Sequence, residues 1–319
     1  PYVAVLAPLL ANHSIRGVGA RTSTALVNER AQCCPAREQR GTAAIPTATS
    51  DPFVLASATD LGVSEEKLEK WRKKGGGDLE LVLASGAAAV LDAQWIISHA
   101  EAGGVLAHRQ ALPKEAFLSL ADLVEATNVF PVAALSYPWL TKDHPDPRGA
   151  NLSRVARALK VLLSGIPRLG LFWDFGSLHQ HPDPPNGVLR TEEQNALFKH
   201  GLGCLGTLYS HQHTWVLRLT SFPDGHKAED QAEGTNVAKY FDRGWCYTEQ
   251  SWAGLTKAGH LSLDLGKMRD GKNYDWSSLR DDCVKGGGRR PPLLPSAFAA
   301  ELEKKSFTNG KDDKPLVKR

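Results

Sequence analysis

Apolar runs and helical patterns alternate along the chain from residue 130 onward. Helical patterns follow two polar capping residues, Asn151 and Thr191, and the second is followed by two glutamates in the first turn. Four apolar runs have the length of buried strands, and they cover residues 132–137, 169–175, 214–219 and 261–265. Nearly continuous apolar strands that alternate with helices predict a parallel sheet covered on both faces. The predicted fold class is therefore α/β, with an open, doubly wound and mostly parallel sheet.

The first 129 residues carry a weaker pattern. Residues 1–50 begin with a short apolar run and continue with arginines and few acids, which is typical either of a targeting presequence or of a poorly ordered arm. Helical patterns follow, one after Ser64 and one over 113–126, whereas residues 79–99 fit a strand or a helix. We therefore predict four segments: an arm over 1–50, a mainly helical extension over 51–129, an α/β domain over 130–285, and a linker, short helix (295–305) and solvated tail over 286–319.

Composition narrows the class of protein. The chain has 319 residues, 42% hydrophobic and 23% charged, and a net charge of +3, which gives no general argument for binding nucleic acid or an anionic membrane. No apolar run reaches the roughly 20 residues of a membrane helix. The cysteine count is five, with Cys33 and Cys34 adjacent, and this fits neither a disulfide framework nor a zinc site. We expect an intracellular protein, either cytoplasmic or, if residues 1–50 are a presequence, organellar. The chain lacks an initiator Met, which fits a fragment or a processed chain.

Polar and aromatic side chains gather where the predicted strands end. The first strand ends at residues 136–139, the second at 174–180, and the third near Thr220, whose following loop leads to Arg243 and Glu249. In an open doubly wound sheet, ligands bind outside the carboxyl ends of the strands. A binding site is therefore predicted at this edge of the sheet.

Glu249 lies in an unusual helical pattern. Trp245, Glu249 and Trp252 are spaced at i, i+4 and i+7, which puts them on one side of a helix. Tryptophans at that spacing normally face the core, and a buried unpaired carboxylate is costly. Glu249 is therefore either held for chemistry or paired with a base such as Arg243.

Three segments together resemble a known family. Residues 134–139 (ALSYPW) resemble the Ser-Tyr-x-Trp motif of heterokaryon-incompatibility (HET) domains. Residues 172–174, together with 179–180, resemble that family's Trp-Ile-Asp and Asn-Gln segment. Residues 243–249 match its Arg-x-Trp-x-x-x-Glu motif. HET domains are regarded as relatives of Toll/interleukin receptor-like (TIR) domains, so the resemblance implies a flavodoxin-like or TIR-like sheet. It covers residues 130–266. The chain departs from these patterns at three positions, Leu140, His179 and Gln250.

The resemblance also implies an activity. In plant TIR domains, a Trp-Cys-x-x-Glu motif similar to residues 245–249 carries the glutamate that cleaves NAD. By that resemblance Glu249 is the catalytic residue, NAD is the substrate, no further cofactor is required, and the reaction releases nicotinamide. The residues expected to bind the nucleotide are Ser136, Tyr137, Trp139, Asp174, Arg243 and Trp245, with Trp173 as a further aromatic group able to stack on a ring.

Other functions remain open at this point. The same fold serves non-catalytic modules that self-associate or dock a protein partner, and the N-terminal arm suggests an accessory subunit of an organellar assembly. The tryptophans are core residues in that case, and Asp174 caps a loop. Two His-Gln-His triplets, residues 179–181 and 211–213, have the composition of metal ligands. They fall at opposite edges of the predicted sheet, so no shared metal site is predicted.

Overall fold

One six-stranded sheet organises the fold, with the strand order β2-β1-β4-β3-β5-β6. Strands β4, β3, β5 and β6 pair in parallel, whereas β1 pairs antiparallel with β4 and with β2. This confirms the predicted α/β class and the mostly parallel sheet. The strands are β1 (Val90–Asp92), β2 (Phe117–Leu118), β3 (Val132–Ser136), β4 (Gly170–Phe172), β5 (Trp215–Arg218) and β6 (Ser262–Asp264).

The structure is a computed structural model, and it describes residues 55–126, 129–226, 238–284, 292–307 and 310–317. The predicted arm over 1–50, Cys33 and Cys34 lie outside the described residues. The helices are α1 (Ala58–Leu61), α2 (Glu65–Lys73), α3 (Gly77–Ala84), α4 (Ala93–Glu101), α5 (Leu120–Glu125), α6 (Ala150–Leu163), α7 (Asp174–Ser177), α8 (Glu192–Ser210), α9 (Gly244–Thr256), α10 (Trp276–Val284), α11 (Pro295–Glu303) and α12 (Gly310–Val317). Within the described segments, no helix is both long and apolar enough to span a bilayer.

The helices cover both faces of the sheet, and their order creates a crevice. Helix α6 joins β3 to β4 and packs on one face, where Ala133 and Leu135 point. Helix α8 carries the chain from β4 back across β3 to β5, and it packs on the other face with Ala134 and Val216. The connection from β3 goes to β4 on one side, and the connection from β5 goes to β6 on the other, so the strand order reverses between β3 and β5. Such a reversal opens a crevice at the carboxyl ends of the two strands.

Helix α6 begins differently from the sequence prediction. Asn151, the predicted cap, lies buried inside the first turn, and the residue before the helix is Gly149 with φ of 69°. The capping group is Asp146, whose Oδ2 accepts a hydrogen bond from the backbone N–H of Leu152 at 2.8 Å. Glycine is required because a Cβ at position 149 would lie 2.8 Å from the carbonyl oxygen of Gly104.

The segment 51–129 contributes to the sheet as well as to the helices. Residues 79–99, whose pattern fitted strand or helix, contain most of α3, strand β1 and most of α4. The single helix predicted over 113–126 is instead a short 3-10 turn, strand β2 and helix α5. The helix starts late because Ser119 and Asp122 form a capping box there. Phe117 pairs with Leu91, which places this segment at the antiparallel edge of the sheet.

The C-terminal segment has one more helix than the sequence predicted. Helix α11 agrees with the short helix predicted there, but α12 occupies part of the predicted solvated tail. Val317 and Leu302 are buried against Tyr247 of α9, and Phe298 stacks on the same tyrosine with ring centroids 5.5 Å apart. These apolar contacts explain why the segment folds onto α9. The glycine triplet 286–288, part of the predicted linker, lies outside the described residues.

Candidate functional site

The tip of β3 and the first turns of α9 meet in a cluster of hydroxyl and carboxyl groups. Ser136, the last residue of β3, is fully buried, and its Oγ donates a 2.6 Å hydrogen bond to Oε2 of Glu249. The hydroxyl of Tyr240, in a 3-10 turn just before α9, lies 2.7 Å from the same Oγ. The structure therefore brings together the strand end and the glutamate that the sequence analysis singled out.

Glu249 is half-buried, and its surroundings favour the protonated acid. Burial is the main cause that raises the pKa of Glu249 to about 8, and the nearby Asp174 charge adds to it. Hydrogen bonds with Ser136 and Tyr209 act in the opposite direction. Among the described residues no Lys, Arg or His forms an ion pair with Glu249, so the alternative pairing with Arg243 is not seen there.

Tyr209 and Cys246 both lie near the Glu249 carboxyl. The Tyr209 hydroxyl donates its one hydrogen to the carbonyl oxygen of Leu135 at 2.6 Å. Burial also raises the pKa of Cys246 well above its usual value, which keeps the thiol protonated and argues against this residue as a nucleophile.

Asp174 connects the tips of β3 and β4. Its Oδ1 accepts hydrogen bonds from the Tyr137 hydroxyl at 2.5 Å and from the Phe175 backbone N–H at 2.7 Å. Its Oδ2 accepts from Trp139 Nε1 at 2.9 Å. Burial raises the pKa of Asp174, and these three hydrogen bonds oppose that shift. Asp174 thus fixes the loop that carries Tyr137 and Trp139 beside the Glu249 cluster.

Replacing Asp174 with Ala is expected to destabilise the protein. The Tyr137 hydroxyl and the Trp139 indole N–H would both lose their acceptor, and each unsatisfied buried group costs about 1–3 kcal/mol. We expect a loss of roughly 3 kcal/mol in the free energy of unfolding, measured by urea titration. Asp270→Ala serves as the control, because its ion pair with Arg157 is exposed and worth at most about 1 kcal/mol. Equal effects in the two variants would contradict the structural role of Asp174.

Aromatic residues near Asp174 divide into core and surface groups. Trp173 is fully buried and Tyr137 nearly so, which makes both of them core residues rather than exposed stacking surfaces. Trp139 is half-buried and meets Phe175 edge to face, with ring centroids 5.5 Å apart. Phe175 also borders a cavity of about 280 Å³ whose wall includes His108, His144 and His181. A second cavity of about 390 Å³ lies beside Lys160, and Glu249 lines neither of the two.

Two of the expected nucleotide-binding residues contact the C-terminal segment. The Trp245 indole N–H donates a 3.0 Å hydrogen bond to Oδ2 of Asp313 in α12. Burial lowers the pKa of Arg243, and the nearby Asp313 charge opposes that shift. The structure thus brings five expected site residues together and places Trp245 beside Asp313. The five are Ser136, Tyr137, Trp139, Asp174 and Glu249.

Three residues of the site were missed by the sequence analysis. Tyr209 and Tyr240 reach Glu249 and Ser136 from separate elements, and no local pattern marks them. Arg218, the last residue of β5, is 5% exposed and pairs with Ser136 in the parallel ladder. A signal for Arg218 was present, because it is the single charged residue within the apolar run 215–219.

The histidine triplets form no common site. His179 Nδ1 lies 3.5 Å from Nη1 of Arg109, and burial together with the charges of Arg109 and Arg190 lowers the pKa of His179 to about 4. His211 precedes β5 and is bonded to Thr214, at the other end of the strands. Across the described part of the chain, no group of three side chains could hold a metal ion.

The geometry at the β3 tip carries the functional argument. It consists of a half-buried Glu249 carboxyl with a raised pKa, the Ser136 hydroxyl that donates to it and in turn contacts Tyr240, and a second carboxyl in Asp174 that fixes the neighbouring loop. Comparison with protein-family models, with curated proteins and with solved structures finds no match to this chain.

Proposed function

We propose that the chain is a signalling domain of HET/TIR type that cleaves the N-glycosidic bond of NAD, with Glu249 as the acting carboxyl group. One observation carries this proposal: Glu249 is half-buried at the carboxyl edge of the sheet, has no ionic partner among the described residues, and is bonded to the tip of β3. Strongly shifted carboxyl groups of this kind concentrate at functional sites. The resemblance of three segments to HET-domain motifs supplies the choice of reaction.

The chemistry needs only one ionised carboxylate. The bond between the ribose carbon and the nicotinamide nitrogen breaks, and its electron pair neutralises the cationic ring, which leaves without being protonated. A water molecule then adds to the ribose carbon and loses a proton. The carboxylate of Glu249 stabilises the positive charge that develops on the sugar in between. A cationic ring bound nearby favours the ionised form of Glu249, which lowers its pKa in the complex.

Asp174 is assigned a positioning role in this reaction. It holds Tyr137 and Trp139 in place, and the Trp139–Phe175 contact leads to the cavity of about 280 Å³. That volume is slightly below the range of about 300–1,000 Å³ typical of small-molecule sites. Its aromatic and histidine lining suits one heterocyclic ring of the nucleotide.

The pH dependence of NAD cleavage tests the proposal. Glu249 must be ionised to act, so kcat/KM is expected to rise with pH and to level off above a pKa of about 8, the value of the free enzyme. Nicotinamide release from NAD would be measured at several pH values and over a range of protein concentrations, because TIR-type enzymes act when assembled. A kcat/KM that falls as the pH rises through this region would contradict the role of an ionised carboxylate.

A non-catalytic interaction module is the second candidate. Two observations favour it: neither cavity includes Glu249, and large apolar side chains are exposed, among them Leu294 at 75% and Leu189 at 58%. In that function the hydroxyl and carboxyl cluster only positions the strand tips, and the exposed side chains contact a second copy or a protein partner. If no nicotinamide is released at any pH or protein concentration, the interaction module becomes the favoured function and NAD cleavage is refuted.

A further inference from the structure

Arg218 occupies a central position in the crevice between β3 and β5. It is the last residue of β5, and its ladder partners are Ser136 on β3 and Asp264 on β6. Paired residues of neighbouring parallel strands point to the same face of the sheet, so Arg218 lies on the face that carries Ser136 and the Glu249 cluster. The charge of Arg218 also reaches the Tyr240 hydroxyl and favours its ionised form, which places the two groups close together.

This guanidinium has no partner among the described residues. The side chain is 5% exposed, and its Nε is enclosed without a hydrogen bond. Within the described segments, no carboxylate lies within 4.0 Å of Arg218, and no oxygen accepts a hydrogen bond from its side chain. The adjacent acid, Asp264, is engaged elsewhere: its Oδ1 accepts from Thr220 Oγ1 at 2.6 Å and from the Gly266 N–H at 3.1 Å.

A buried cation without a partner is unfavourable for folding. Transfer of a charge out of water is costly, and proteins normally recover that cost with a carboxylate and hydrogen bonds. Arg218 recovers neither from the described residues. Its guanidinium presents five N–H donors in a planar fork, a geometry that matches the paired oxygens of a phosphate or a carboxylate. An anionic ligand would supply the missing partner.

The position in the fold points to the same conclusion. Arg218 and Ser136 stand opposite each other at the carboxyl ends of β5 and β3, between which the strand order reverses. This reversal is where open α/β sheets bind their ligands. The burial of the cation and the topology of the sheet are independent observations, and both mark the same place.

We propose that Arg218 is an anion-binding residue that holds an oxyanion, phosphoryl or carboxylate, of the ligand that occupies the crevice beside Glu249. The inference rests on the proposed function only in placing that ligand next to Glu249, and binding of the anion does not require cleavage of NAD. If the inference holds, the substrate carries a negatively charged group close to the bond that is cleaved. Ser136, which is bonded to both Tyr240 and Glu249, lies beside Arg218 in the ladder.

Thermal unfolding of the full chain with simple anions tests the inference. Sodium pyrophosphate and sodium succinate would be compared with sodium chloride at equal ionic strength, so that a phosphoryl and a carboxylate source are distinguished. We expect at least one of the two to raise the Tm of the wild-type chain above that in chloride. No rise in Tm with either anion would overturn the inference without the need for any variant.

Substitution of Arg218 gives a second, opposite signature. Arg218→Met removes the unpaired buried charge, so we expect a higher Tm without anion and an anion affinity about 30-fold weaker or worse. A structural arginine would instead show a lower Tm and unchanged anion binding. If Arg218→Met does not fold, Arg218→Lys keeps the charge and loses the fork, and it should also weaken binding. The control Arg168→Met removes an arginine that is exposed and paired with Asp122, and it should bind the anion as the wild type does.

The two proposals fail separately. Anion binding through Arg218 without nicotinamide release would refute NAD cleavage and leave the anion site in place. NAD cleavage that is equally efficient in Arg218→Met would refute the anion site and leave the proposed function in place.

Discussion

Glu249→Gln is expected to abolish nicotinamide release from NAD while the protein stays folded. The amide has the same size as the protonated acid, so it can keep the contact with Ser136, but it cannot become an anion. Removing a single group that stabilises transition-state charge commonly costs about 10²–10³ in kcat. We expect a loss at the upper end of this range. Among the described residues, no other carboxylate is bonded to Ser136 and able to replace Glu249. The measurement is a single-turnover assay of nicotinamide release above the pKa of about 8.

The matched control is Glu80→Gln. Glu80 is also a glutamate, 1% exposed, but it forms an ion pair with Arg72 at 2.9 Å and lies in α3, away from the β3 tip. Its replacement should lower the stability of the fold and leave the turnover of the folded fraction unchanged. Near wild-type activity in Glu249→Gln, with Glu80→Gln equally active, would remove Glu249 from the reaction.

The stability difference between the wild type and Glu249→Gln is expected to depend strongly on pH. The pKa of Glu249 rises from 4.5 to about 8 on folding, so the native state binds the proton more tightly than the unfolded chain. The contribution of Glu249 is therefore fully present below pH about 4.5 and is lost as the pH rises through about 8. At about 1.4 kcal/mol for each pKa unit, the full loss amounts to roughly 5 kcal/mol.

Urea unfolding of both proteins near pH 5 and near pH 9 measures this effect. All other titrating groups are shared, so the difference between the two proteins isolates Glu249. We expect similar stabilities at the lower pH and a markedly more stable Gln variant at the higher pH. A difference that does not change with pH would mean that the carboxyl ionises normally. That result would contradict the raised pKa of Glu249.

The parallel part of the sheet was predictable because its strands are buried on both faces. Residues 132–137, 169–175, 214–219 and 261–265 each contain a strand of the structure, since burial on both sides leaves an apolar run that is visible in one dimension. Strand β1 lies in residues 79–99, which the sequence pattern left open between strand and helix, and strand β2 was not predicted. They have three and two residues, too few for any periodicity, and they form only because Leu91 meets Phe117 and Leu171 across the sheet.

The site was predictable to the extent that topology alone positions it. The rule for the carboxyl ends of parallel strands brought Ser136, Asp174 and Glu249 to one edge. Tyr209 and Tyr240 could not be anticipated, because each is a common core residue whose role depends on where its hydroxyl ends up in three dimensions. The prediction of a solvated tail was wrong for a similar reason. The sequence around Val317 has no amphipathic pattern, and Val317 is buried because it packs against Tyr247 of α9.

Helix α9 contacts two separate parts of the chain through neighbouring residues. Glu249 reaches Ser136 in the crevice, while Trp245, one turn earlier, is tied to Asp313 in the last helix. The distance along the axis between these two anchor points is about one helical pitch, roughly 5.4 Å. Because both contacts are made by the same helix, we expect a displacement of α12 to shift α9 and, with it, the Glu249 carboxyl.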